Sequence, residues 1–149
     1  MRERLMDALK AAMKAKDSSR ISTIRTVQAA IKDLEIANRT KPNAETTDGD
    51  IAQLLAKLVK QREESAKIYD EGGRPELAEK ERAEIAIISE FMPRQLSEAE
   101  AADVIKGVIA ETGASSIKDM GKVMAVLRER YPGQMDFGKA SGQIKALLG

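Results

Sequence analysis

Cysteine and histidine are both absent from the 149-residue sequence. Without cysteine there is no disulfide, no thiolate metal site and no sulfur nucleophile. Without histidine the commonest metal ligand and the usual general base near neutral pH are gone, and no serine can be activated by an imidazole. Tryptophan is missing too, and two Tyr and two Phe leave few rings on which nucleic-acid bases could stack. No apolar run approaches the ~20 residues of a membrane span, so no membrane partner is expected. Met120-Gly121-Lys122-Val123-Met124 lacks the spacing of a phosphate-binding loop. Acidic pairs such as Glu63-Glu64 are the ordinary charge of a helix surface. No metal, cofactor or catalytic constellation is therefore expected.

What is present favours helices. Charged residues make up 33% of the chain, and Ala, Leu, Ile, Glu and Lys are frequent, a composition suited to helices packed through aliphatic stripes. A chain of this size buries about 70% of its unfolded surface and needs no covalent staple. Met1-Arg2-Glu3-Arg4-Leu5-Met6-Asp7 interleaves charge too closely for a signal peptide, and a cytoplasmic protein is expected. The net charge of +1 hides an uneven distribution. Residues 1–41 carry ten Lys/Arg against five Asp/Glu, residues 70–90 three against seven, and residues 118–149 six against three. Both ends are basic and the middle is acidic, which admits an anionic partner at either end or simply solvated helix faces.

The chain is organised around Phe91-Met92-Pro93-Arg94-Gln95-Leu96-Ser97. Pro93 cannot continue a helix and pushes Met92 out of helical geometry, while Ser97 and Glu100 have the spacing of a capping box. One helix ends near Phe91 and another starts at about Glu98. The expected organisation is all-α: an N-terminal antiparallel domain of about four helices over residues 1–93, and a small three-helix domain over 94–149.

In the first part, Leu5, Leu9, Ala12 and Met13 share one helix face, and Ile21, Ile24, Val27, Ile31 and Leu34 form the stripe of a second helix capped from Asp17-Ser18-Ser19. Residues 38–49 read as an exposed loop. Thr47 or Asp48 caps a third helix bearing Ile51, Leu54, Leu55, Leu58, Ile68 and Tyr69. Glu71-Gly72-Gly73-Arg74-Pro75 turns it back into a fourth helix with Leu77, Ala78, Ile85, Ile88 and Phe91 inward and Glu76, Glu79, Glu81 and Glu84 outward. In the second part, Val104, Ile105, Val108 and Ile109 mark the fifth helix. Ser116 with Asp119 caps the sixth (Met120, Val123, Met124, Leu127), and Asp136 caps the seventh (Ile144, Leu147, Leu148).

Arg62 and Ser65 stand out because they interrupt the apolar face of the third helix. Either Arg62 snorkels or pairs with the acidic fourth helix, or the two residues form a small polar site between helices.

Read together, several segments resemble the YqeY family. They are Leu9-Lys10-Ala11-Ala12-Met13-Lys14-Ala15-Lys16-Asp17, Ala29-Ala30-Ile31-Lys32, Lys57 through Ala66 with Tyr69, Gly73-Arg74, Leu77-Ala78-Glu79-Lys80-Glu81, Glu84-Ile85, Phe91 through Ser97, Met120 through Met124, and Gly133, Asp136 and Ile144-Lys145. Only residues 38–47 carry no matching motif. In its C-terminal half the YqeY family is similar to the tail domain of the B subunit of the glutamine-dependent aspartyl/glutamyl-tRNA amidotransferase, a helical domain that contacts tRNA away from the chemistry.

The resemblance thus implies a non-catalytic module that binds tRNA or RNA, or a protein of the translation machinery. The family's label of carbon–nitrogen ligase with glutamine as amido donor has no matching nucleotide site or amidase nucleophile here. The segment the resemblance points to contains Lys118, Lys122, Arg128, Arg130, Lys139 and Lys145 as the expected RNA-binding cations. Gly121 and Gly138 would allow close approach of nucleic acid or of a neighbouring helix. A helical protein-partner module without RNA binding is the alternative, docking through the acidic fourth helix or the polar stripe around Arg62.

Overall fold

A computed structural model describes residues 1–42 and 45–149. It is all-α: seven α-helices and one 3₁₀ turn make up the regular structure of the described residues. By its contacts the chain divides into two compact units, Met1–Met92 and Pro93–Gly149.

The first unit contains α1 (Arg2–Lys14), α2 (Ser18–Asn38), α3 (Asp48–Glu71) and α4 (Pro75–Ser89). The α1–α2 turn is tight. Lys16 adopts a left-handed φ of 55°, and Asp17 then accepts from the Arg20 amide to cap α2. Thr47 and Asp50 exchange side-chain and backbone bonds in a full capping box at the start of α3. Pro75 opens α4 at a position where its missing N–H is no loss. The core joins Leu5 and Ala12 of α1, Ile24, Val27 and Ile31 of α2, Ile51 and Leu55 of α3, and Ile88 with Phe91.

Three expectations change here. Met13 is 50% exposed and Ile68 66% exposed, because α1 and α3 each bury a single stripe and these residues lie beside it. Asn38, assigned by sequence to the exposed loop, instead ends α2 and is buried, its Nδ2 donating to Thr46 Oγ1 at 3.0 Å. The loop residues Asn43 and Ala44 lie outside the described residues.

The second unit contains α5 (Glu98–Thr112), a 3₁₀ turn (Ile117–Asp119), α6 (Met120–Arg130) and α7 (Phe137–Leu148). Ser97 and Glu100 form the capping box of α5, and Gly113 closes the helix at φ 68°. Asp136 accepts from the amides of Gly138 and Lys139 to cap α7. Ile105, Val108, Val123, Met124, Leu127, Ala140 and Ile144 are the core. Leu147 is 52% exposed, outside the stripe that Ala140 and Ile144 bury. Ser116 and Asp119 form a capping box, as the spacing suggests, but it opens the 3₁₀ turn that leads into α6 rather than α6 itself. The Asp119 carboxylate accepts from the amides of Ser115 and Ser116, which stabilises the 3₁₀ turn ahead of α6.

Candidate functional site

The cations marked in the second unit sort into two groups by where their elements lie. The 3₁₀ turn packs on both α6 and α7, and Ser141 of α7 reaches Met120 at the start of α6. Lys118 on the turn, Lys122 in the first turn of α6 and Lys145, one helical turn beyond Ser141, therefore stand toward the same end of the unit. Lys118 and Lys145 are exposed, and the Lys122 ammonium donates to the Thr112 carbonyl at 3.3 Å. The amides of Ser115 and then Ser116 hold the Asp119 carboxyl below its usual range, and the Lys122 charge adds to this.

At the other end, the Arg128 guanidinium lies 5.8 Å from the centre of the Phe137 ring, joining the last turns of α6 to the first residue of α7. Lys139 is two residues further along α7. Arg130 leaves the opposite side of α6 from Arg128, roughly 200° round the helix at ~100° per residue. It makes a two-pronged contact with Glu111, each nitrogen 2.6 Å from a carboxylate oxygen. That fork lowers the Glu111 pKa and raises that of Arg130. The six cations are thus not one continuous surface, and Arg130 is already engaged.

A shallow cleft of about 160 Å³ runs between the segment Gln95–Glu98 and the start of α7, with Lys139 on its wall. Gln95 donates to the carbonyls of Pro93 and Gly133, so its amide holds the segment in place. Gly121 has open space where a Cβ would stand, so close helix packing is not its reason.

In the first unit, Arg62 reaches across the α3–α4 hairpin. Its Nε donates to Glu84 at 3.0 Å and its Nη1 to the Leu58 carbonyl at 3.1 Å. Glu84 therefore turns toward α3 rather than outward as the sequence suggested. Ser65 is half-buried one turn along from Arg62. Sequence reasoning did not single out Arg94, which forks onto both oxygens of Glu100 at 3.0 Å. This contact, followed by the Ser97 amide, draws the Glu100 pKa down to about 2. It also missed Arg4, which donates to the Glu90 carbonyl and lies 5.7 Å from the Phe91 ring centre. Its place directly before the buried Leu5 gave no signal of a contact made 86 residues along the chain.

Comparison with known proteins places these features in context. A family model described as Yqey-like protein matches residues 2–148. Among curated proteins, the "Altered inheritance of mitochondria protein 41, mitochondrial" of Eremothecium gossypii is 41% identical over 88 residues, covering 59% of this chain and 46% of that protein. The protein of the same name from Pyrenophora tritici-repentis is 28% identical over 151 residues, covering 98% of this chain and 80% of its own length. That from Kluyveromyces lactis is 39% identical over 87 residues, covering 58% and 45%. The match thus spans about half the length of several of these relatives. Their mitochondrial names overturn the expectation of a cytoplasmic protein. That expectation rested on N-terminal charges too closely spaced for a secretory signal peptide and on the lack of an apolar run long enough to span a membrane, and neither feature distinguishes the cytoplasm from an organelle.

Proposed function

The chain belongs to the Yqey-like family, and from that premise we propose that it is a non-catalytic RNA-binding module whose C-terminal unit contacts tRNA through phosphate neutralisation. One observation carries this reading: Lys118, Lys122 and Lys145 stand toward the same end of the second unit, with Lys118 and Lys145 exposed on separate elements. Ammonium groups from the 3₁₀ turn, α6 and α7 would follow the backbone of a folded RNA and need no aromatic platform, which suits a chain with four aromatic residues. The resemblance of the family's C-terminal half to the amidotransferase tail domain, drawn from sequence motifs, favours tRNA as the RNA class. Arg130 has no part in this reading, because Glu111 holds it; Arg128 and Lys139 would make a second, weaker contact at the far end.

The test is tRNA binding across a salt series. About three neutralised phosphates give a log–log slope of roughly −2 to −3. Replacing Lys118, Lys122 and Lys145 together by Ala makes the slope shallower, while Arg130→Ala leaves it unchanged. Absence of tRNA binding at low salt, or equal slopes for wild type and the triple variant, removes the proposal.

A further inference from the structure

The first unit has an uncovered face that the RNA reading does not use. Between α1 and α2 lies a groove of about 270 Å³ with buried Leu5 and Ile31 at its floor and Met6 on its wall. Arg2 and Lys32 stand on opposite rims. The apolar surface continues along both helices. Met13 lies seven residues after Met6 on the same side of α1, and Ile36 lies one turn beyond Lys32 on α2. Met6, Met13 and Ile36 are 45%, 50% and 47% exposed, and no other exposed large hydrophobics occur in the first unit among the described residues except Ile68. Exposed cations flank this strip: Lys10 on α1, and Arg25 and Arg39 on α2. The one carboxylate lining the groove, Glu35, is paired with Arg2.

We propose that this groove is a docking site for an amphipathic helix of a partner protein that carries carboxylates beside a Leu- or Ile-rich stripe. Two antiparallel helices leave a furrow between their ridges that accepts the ridge of a third helix. Methionine side chains adapt to varied apolar anchors. Lys32 on the α2 rim, with Lys10, Arg25 and Arg39 along the strip, selects carboxylates beside those anchors, which speeds the encounter; Arg2 is held by Glu35.

Other occupants fit the face less well. An RNA would meet an apolar floor without a ring on which to stack. A bilayer surface favours a convex apolar face, and here part of the apolar surface is recessed between rims. A second copy of the chain offers an acidic α3–α4 hairpin, but Ile68 is its only exposed large apolar side chain among the described residues, one anchor for a strip that presents three.

The test uses a fluorescein-labelled helical peptide with Leu at i, i+3, i+4 and i+7 flanked by Glu, and a control peptide with Lys in place of Glu. The full chain should bind the acidic peptide and not the basic one, with chemical-shift changes at the Met6 and Met13 methyl groups. Because both methionines are exposed, Met6→Gln with Met13→Gln should leave the thermal melt unchanged and weaken peptide binding by about tenfold or more; Lys32→Glu should weaken it similarly.

No binding at low salt, or binding insensitive to these variants, overturns the proposal. Equal affinity for the two peptides does the same. Loss of concentration-dependent self-association in the Met6→Gln/Met13→Gln variant would assign the face to a second copy. Loss of binding to phosphatidylserine vesicles would assign it to a membrane. Weakened tRNA binding by the same variants would assign it to RNA. Each of these three also overturns it. The Lys118/Lys122/Lys145 triple variant should bind the peptide normally, so this test and that of the RNA reading fail independently.

Discussion

Arg62 and Glu84 form a half-buried ion pair across the α3–α4 hairpin, 3.0 Å apart with side chains 16% and 22% exposed. Arg62 also donates to the Leu58 carbonyl of its own helix, so two of its donors are used inside the hairpin. Removing Glu84 would leave a largely desolvated guanidinium with half of its partners. Glu84→Ala should cost about 1–3 kcal/mol, the range for a lost hydrogen bond to a charged group. A double-mutant cycle with Arg62→Ala, read by urea denaturation, should show a clear coupling term. A coupling of zero would mean that the pair contributes nothing at this depth.

Glu100 is the group that titrates furthest from its ordinary value, drawn down to about 2 by the Arg94 guanidinium first and the Ser97 amide second. A carboxylate whose folded-state pKa is depressed adds stability that is fully present above its unfolded value of about 4.5 and is lost as pH falls toward 2. NMR titration of the Glu100 side chain should give a midpoint near 2 in the wild type, and Arg94→Ala should move it up toward the ordinary range. An unchanged midpoint would assign the depression to the helix cap alone.

Two positions with left-handed backbones should respond in opposite directions. Lys16 holds φ at 55° although it has a Cβ, so Lys16→Gly should stabilise the chain by about 1 kcal/mol; Gly113 holds φ at 68°, so Gly113→Ala should destabilise it by about 1–2 kcal/mol. Thermal unfolding of the two variants decides this. A destabilised Lys16→Gly would show that the lysine side chain makes a contact worth more than the backbone strain.

Gly107 lies in the interior of α5 with open space around its missing Cβ. Gly107→Ala should raise stability by about 0.5–1 kcal/mol through helix propensity alone. Gly121→Ala has the same open surroundings. If RNA approaches the backbone at Gly121, that variant should bind tRNA more weakly while folding normally; equal binding would show that the backbone there is not approached.

Local features of the fold were legible in the sequence because their signals are local. Pro93 ends one helix, the Ser97–Glu100 spacing starts another, and Thr47, one of two candidate caps, starts α3, since a cap is satisfied within four residues of chain. The apolar stripes of α2 and α5 named their buried apolar residues, because 3.6-residue periodicity alone puts Ile24, Val27 and Ile31, or Ile105 and Val108, on one face; the buried polar Thr23 and Asn38 of α2 were not named. Where a helix has apolar residues beyond one stripe, periodicity does not say which are covered. Met13, Ile68 and Leu147 were assigned inward and are exposed, because each helix buries only as much surface as its neighbours cover.

Long-range pairing was beyond sequence reasoning for a related reason. Nothing in the chain ties Arg130 to Glu111 or Arg4 to Phe91, which meet only after α5 packs on α6 and α1 packs against the end of α4. Read alone, the residues specify an all-α chain, its helix starts and stops, its resemblance to the YqeY family and its cations. Tertiary structure decided which cations are engaged by carboxylates, which gather around the 3₁₀ turn, and that Met6, Met13 and Ile36 are left uncovered. The reason is physical: caps and periodicity are set by neighbours within a turn or two, whereas exposure and ion pairing depend on which helix faces meet.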